Sequence, residues 1–224
     1  IKRRYKGTIA FPPGFIDGRA FQWRGLDLSI RYTFVTRLPL DLTFVDKRAK
    51  NRARVAINSG YSVTLSRDWE KLQNCLERTE EAKGFSHMTT IQDFVRLHEL
   101  LGESIFRGYL CIDAQEKPAS GRVWLFGENG ISIAWSAGTS RDHIKNGVNQ
   151  LTFLKCIEDI TESGGVFLDL CGANIKEVAS AKAAWGAPLI PYMTLTNDSI
   201  SRKIWRVIVP KDLRSKIRPF LRGV

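Results

Sequence analysis

Three strand-like runs in succession, residues 105–112, 119–126 and 131–137, restrict the fold more than anything else in this chain. Each is rich in β-branched and aromatic residues, and the stretches between them, 113–118 and 127–130, carry turn residues of the hairpin kind. The pattern predicts an antiparallel meander. A long helix follows over about 149–163, with Leu151, Leu154, Ile157 and Ile160 facing inward, and Gly164-Gly165 stops it. Residues 166–170 then read as a short strand buried on both faces. From the third meander strand through the helix to this strand, the order is that of a crossover onto a parallel neighbour.

The flanking segments are compatible with one mixed α/β sheet domain. Residues 8–13 and 28–38 read as extended, with Pro12-Pro13-Gly14 as a turn. A helical stretch over 43–59 places Phe44, Val45, Ala49, Ala53 and Ala56/Ile57 on one side, and Gly60 ends it. A short strand at 61–65 leads to Ser66 as the cap of a helix over 68–83. Further helices are expected at 90–101 and 175–185, a strand at 189–196, and a basic helical tail from Ser199. Residues 1–60 form an extended segment and basic helix leading into a core at 61–224. Because the chain opens at Ile1 rather than a methionine, it is expected to be part of something longer.

No run approaches the roughly 18 apolar residues that cross a bilayer, so a soluble protein is expected. Cys75, Cys111, Cys156 and Cys171 lie far apart without a C-x-x-C pair, and His87, His98 and His143 are equally scattered. Reduced, buried thiols are the intracellular norm, which makes the expected location cytoplasmic, with no metal centre. A net charge of +11 attracts polyanions. There is no G-x-x-x-x-G-K-[ST] loop, no G-x-G-x-x-G fingerprint and no G-x-S-x-G elbow, which argues against P-loop, Rossmann and α/β-hydrolase chemistry.

The β-β-β-α-β-α-β order over residues 108–192 resembles the core of the GNAT acyltransferases, in particular their FemAB-like branch. The resemblance is carried by Ile131-Ser-Ile-Ala-Trp-Ser-Ala-Gly138, by Asn149-Gln-Leu at the helix entrance, by Phe167-Leu-Asp-Leu-Cys-Gly172, and by Ala181-Lys-Ala-Ala-Trp-Gly186 before a strand ending near Tyr192. Phe21-Gln-Trp23, Arg31-Tyr-Thr-Phe34 and Gly60-Tyr-Ser-Val63 add to it upstream. It implies a mostly antiparallel sheet flanked by helices, with one parallel pair splayed to admit an acyl donor, and a second GNAT-like lobe ahead of Ile1. The usual Arg/Gln-x-x-Gly-x-Gly/Ala coenzyme loop is missing; Gly138-Thr-Ser-Arg-Asp-His-Ile-Lys-Asn-Gly147 stands in its place.

By that resemblance Lys182 matches the lysine of a Phe-Lys-x-x-x-Gly element, with Ala181 in place of the phenylalanine, and is expected to stabilise charge at the reacting ester or phosphate. Asp169 matches the acidic residue of the buried strand, to orient a base or satisfy backbone donors. Tyr192 is a hydrogen-bond donor to the leaving group. Trp135, Ala137, Gly138, Arg141, Lys145, Gly147 and Asn149 are expected along the donor, and His143 is a conceivable base. The implied donor is acyl-CoA or aminoacyl-tRNA and the acceptor a small-molecule or peptide amine.

Lys47, Arg48, Lys50, Arg52 and Arg54 place five cations in eight residues. They suit a phosphate backbone, tRNA among the partners, or a plain solvated face. The tail, with Ile204, Trp205, Val207 and Ile208 among its cations, suits an anionic membrane surface. Two functional readings follow: an acyltransferase, or a catalytically silent GNAT-like module that binds RNA or a phosphorylated ligand through its basic faces.

Overall fold

Alternation and hairpin turns build the meander where the sequence places it. The computed structural model describes residues 8–83, 89–127 and 129–196; the tail expected to be helical from Ser199 lies outside them. In chain order the elements are β1 (Thr8–Ala10), α1 (Arg19–Trp23), β2 (Asp27–Arg37), α2 (Lys47–Asn58), β3 (Ser62–Leu65), α3 (Trp69–Lys83) and α4 (Ile91–Leu101). Then come β4 (Phe106–Ile112), β5 (Pro118–Phe126), β6 (Ile131–Thr139), a 3-10 turn (Arg141–Asn146), α5 (Val148–Glu162), β7 (Phe167–Asp169), α6 (Lys176–Ala183) and β8 (Leu189–Thr196). Eight mostly antiparallel strands with one parallel pair make the fold class mixed α/β, as expected from the sequence.

Two compact units share these elements, residues 8–31 with 191–196 and residues 32–190. In the smaller unit β1 pairs antiparallel with β8, from Thr8 opposite Thr196 to Ala10 opposite Thr194. Phe11 stacks on Phe15 with ring centroids 4.3 Å apart, and Phe21 leans on both. The short helix α1 was not foreseen: with five residues it is too brief to show a hydrophobic period.

In the larger unit the strands run β2-β7-β6-β5-β4-β3. Among the described residues of this unit, pairing is antiparallel between β2 and β7, β6 and β5, β5 and β4, and β4 and β3, and only β6 and β7 run parallel. The alternate faces of β4 and β5 feed two apolar layers. One face packs Phe106, Leu110 and Val123 under Leu72 and Phe94 of α3 and α4. On the other, Tyr109 and Trp124 pack with Phe153, Ile157 and Ile160 of α5, together with Leu168 and Trp185. Trp124 is fully buried, and truncating such a ring costs about 3–5 kcal/mol.

Helix boundaries follow their caps. Thr90 and Asp93 form a reciprocal capping box on α4, and Gly102 follows its last residue. At α3 the side chain of Asp68 accepts the Lys71 N–H at 3.0 Å, while Ser66 accepts the Asp68 N–H at 3.1 Å. Asp68 therefore serves the helix end that the sequence assigned to Ser66.

Two expectations are corrected. The helix of the 43–59 stretch begins at Lys47, and the buried stripe is Ala49, Ala53 and Ala56, with Val45 just ahead of it. Phe44 and Ile57, expected on the inner side, are 73% and 53% exposed. Only small side chains fit beneath α2: a Cβ on Gly147, at the entrance of α5, would stand 2.0 Å from the Arg52 carbonyl oxygen. The second correction concerns β7, which is three residues long and not buried on both faces. Leu168 is fully buried, but Val166 and Phe167 are 40% and 42% exposed, because they lie at the end of the sheet where Val166 packs against the Gly130 turn.

Candidate active site at the parting of two strands

The parallel pair is short. β6 and β7 are in register only at Ile131 with Phe167, Ser132 with Leu168 and Ile133 with Asp169. Beyond Asp169 the chain stays with β2, its antiparallel partner, where the Leu170 N–H donates to Phe34 O and the Ala173 N–H to Tyr32 O, both at 2.8 Å. β6 meanwhile runs on to Thr139 without β7 beside it. The two strands part at Ile133 and Asp169, and Ala137, in mid-strand, is exposed.

A bulge marks the same stretch of β6. Val123 of β5 faces Ser136 while Trp124 faces Ala134, so Trp135 is the extra residue. Its indole, 37% exposed, meets Phe94 and Phe106 edge-on at 5.9 and 5.8 Å.

Asp169 and Lys182 both bond to the Cys171-Gly172 corner beside the fork. The Asp169 carboxylate accepts the Thr33 hydroxyl at 2.5 Å and the Cys171 N–H at 2.8 Å. That pins a corner in which Cys171 (φ 53°) and Gly172 (φ 49°) both take the left-handed conformation. The carbonyls of these two residues converge on the Lys182 ammonium from α6, with Gly172 O at 3.1 Å. Burial pushes the Cys171 thiol up to about 12, with Asp169 adding to the rise and Lys182 opposing it. Cys171 is therefore a neutral thiol here.

The entrance of α5 lies past the open end of β6. Gly138 is still in the strand, and a Cβ there would meet the Cys75 carbonyl oxygen of α3 at 2.2 Å. Gly147 turns the chain into α5 with φ +78° under the weight of α2. Arg141 and Lys145 are exposed on the 3-10 turn between them. His143 of that turn shares a hydrogen bond with the Tyr61 hydroxyl at 2.8 Å, and the same hydroxyl accepts Asn146 Nδ2 at 2.7 Å. Tyr192 is half-buried in β8, in the part that belongs to the smaller unit.

Thr33, the Cys171-Gly172 corner and Arg122 were missed by sequence reasoning. Arg122, on β5, is 8% exposed. Its Nη2 donates to Asn149 Oδ1 at 2.6 Å, its guanidinium lies 4.9 Å from the Phe153 ring, and its Nε has no partner. Burial lowers its pKa to about 10. None of the salt bridges among the described residues involves it. A buried cation without a carboxylate is costly, so Arg122→Met, which keeps the length, is expected to leave the melting temperature unchanged or raise it by a few degrees. A drop of several degrees in a thermal melt would show that the charge is compensated in solution.

No family model matches the sequence, and no curated protein does. Solved structures do. FemX superimposes with a TM-score of 0.65 at 14% identity, over 90% of this chain and 68% of that one. L-PGS from Bacillus licheniformis gives 0.61 at 9% identity, over 85% and 68%. The fold is GNAT-like, of the FemAB type. A GCN5-related N-acetyltransferase from Kribbella flavida shares it at 0.53 and 11% identity, over 81% of this chain and 65% of that one. At such identities the likeness is one of fold, and function has to be argued from the site. The GNAT-like core accounts for the meander, the short parallel pair and the helix between its strands. No described helix is long and apolar enough to cross a membrane.

Proposed function

We propose that the chain is an acyltransferase that moves an acyl or aminoacyl group from acyl-CoA or aminoacyl-tRNA to an amine. The observation that carries this reading is the parting of β6 from β7 after three residues of register, beside the bulge at Trp135. A strand that loses its neighbour offers main-chain N–H groups to a ligand, and such donors stabilise negative charge building on a carbonyl oxygen. The donor's acyl carbonyl lies along β6 past Ile133. Its phosphates face Arg141 and Lys145 and the positive end of α5.

The amine attacks the carbonyl carbon: a C–N bond forms, the thioester or ester bond breaks, and the leaving thiol or ribose hydroxyl takes up the proton that the amine gives. Lys182, held beside the fork, supplies positive charge as the leaving group departs, and Asp169 fixes the corner that presents it. A silent module that binds RNA or a phosphorylated ligand is the second reading. It is favoured by the close packing of α2 on Gly147, at the end of the stretch that stands in place of the usual coenzyme loop.

Thermal shift separates them. Acetyl-CoA, longer acyl-CoAs, and charged and uncharged tRNA are each added to the protein. A true donor at about one hundred times its dissociation constant stabilises by about 2.7 kcal/mol, or about 5–10 °C for a chain of this size. Stabilisation by an acyl-CoA, or by charged over uncharged tRNA, followed by turnover with an amine, supports the transferase. Equal stabilisation by both tRNAs, with no acyl-CoA effect and no turnover, supports the silent module.

A further inference from the structure

We infer that the outer face of α2, with the turn at 41–46 that leads into it, docks on an anionic lipid surface. The inference is independent of whether the fork between β6 and β7 is catalytic.

The cations of α2 are not explained by the fold. Lys47, Arg48, Arg52 and Arg54 are exposed and Lys50 is partly so, while Ala49, Ala53 and Ala56 alone face inward. The helix holds no carboxylate, and none of the salt bridges among the described residues involves it. Lys50 donates to the Leu42 carbonyl at 2.9 Å and Arg54 to Asn51 at 3.1 Å. The two acids of the turn serve the backbone: Asp46 accepts the Arg48 N–H at 2.6 Å and Asp41 the Thr43 N–H at 2.8 Å. Moreover, Lys47 and Arg48 stand in the first turn, where the helix dipole opposes cations, and the last turn has none. Local helix stability does not select that arrangement. A local rule broken without gain points to an external partner.

The apolar residues decide which partner. Leu42, Phe44, Val55 and Ile57 are 50%, 73%, 53% and 53% exposed. At 3.6 residues per turn Val55 falls beside Arg48 and Arg52, and Ile57 beside Lys50 and Arg54, so each flank of the helix mixes both kinds. Ile144, 50% exposed, belongs to the 3-10 turn packed against α2. Cations alone would serve an RNA backbone, which is one of the two readings that the sequence leaves open for this helix. Of these apolar residues only Phe44 has a ring that can stack on a base; Leu42, Val55, Ile57 and Ile144 are aliphatic and neither stack on bases nor bond phosphates. All five, however, can enter the acyl boundary of a bilayer while neighbouring cations meet its headgroups.

The test is cosedimentation of the full chain with vesicles of phosphatidylcholine alone, or with one third phosphatidylglycerol. The protein is expected to pellet only with the second, less so as salt rises. Substituting glutamine at Lys47, Arg48, Arg52 and Arg54 together should weaken binding at least about 100-fold, from about fivefold per cation. The triple variant Leu42→Ser, Phe44→Ser, Val55→Ser should weaken it about tenfold or more through lost apolar burial. Both sets are surface changes, and an unaltered melting temperature checks that the fold is kept. The tail is present in every sample, so it cannot mimic the difference. Absence of pelleting, or unchanged pelleting of both variants, overturns the proposal. So does a face whose charge variant loses RNA binding in a filter assay while the serine variant binds vesicles like the parent.

Discussion

Lys182→Met is expected to lower turnover at least about 100-fold, the scale seen when one preorganised electrostatic donor is removed from a reacting centre. Methionine keeps most of the aliphatic stem and removes the ammonium. In the folded protein that ammonium bridges the Cys171 and Gly172 carbonyls, which belong to two successive left-handed residues. Cys171 holds this conformation with a side chain, at a cost of about 1–2 kcal/mol. Losing the bridge leaves two carbonyls to water and is expected to cost about 1–2 kcal/mol of stability, or about 2–8 °C in melting temperature. The measurement pairs kcat, with the donor identified by thermal shift, and the melt. Lys182→Arg serves as the conservative partner, since it keeps the charge and the ability to donate to both carbonyls. Should Lys182→Met melt early yet turn over like the parent, the lysine is a clamp for the corner and not part of the chemistry.

The same corner shows how far the sequence could be read. Asp169 and Lys182 were chosen by resemblance, and each bonds to the backbone of the Cys171-Gly172 corner. The reason lies in Thr33, 136 positions away from the carboxylate it donates to, and in a backbone conformation that Cys171 adopts against its preference. Neither leaves a local pattern. The meander and the helix α5 were legible because periods and turn residues are properties of neighbouring residues. The parting of β6 and β7 depends on which of its two neighbours the chain follows after Asp169, and the choice of β2 over β6 is made by tertiary packing. Phe44 and Ile57 were read inward because a hydrophobic period assumes that apolar means buried. Here α2 rests on alanines, and its larger apolar residues are left outside. Arg122 escaped notice because a strand arginine at an alternating position looks solvated until α5 covers it.

Glycine posed the hardest problem, and Gly138→Ala is the change that resolves it. A glycine needed for a left-handed turn and one needed for close approach look the same in sequence. Gly164, after α5, has φ +86° and open space around it, so its role is conformational. Gly138 is the opposite case. A Cβ there would stand 2.2 Å from the Cys75 carbonyl oxygen and 2.6 Å from the Leu76 Cα, both backbone atoms of α3. A helix backbone cannot rotate aside as a side chain does, so α3 has to lift from β6. Overpacking of this kind costs about 1–3 kcal/mol and sometimes more; with rigid backbone as the obstacle the upper end is expected, about 6–12 °C in melting temperature. Gly121→Ala is the control on the neighbouring strand. Its Cβ would meet Leu72 Cδ2, a side-chain tip that can yield, at 3.0 Å, and the fixed Cys75 Cβ only at 3.3 Å, a far milder overlap, so the loss should be at most half as large. If instead Gly138→Ala melts with the parent but no longer gains stability from the donor, the glycine lies along the donor as the sequence led one to expect, and α3 is more compliant than its packing implies.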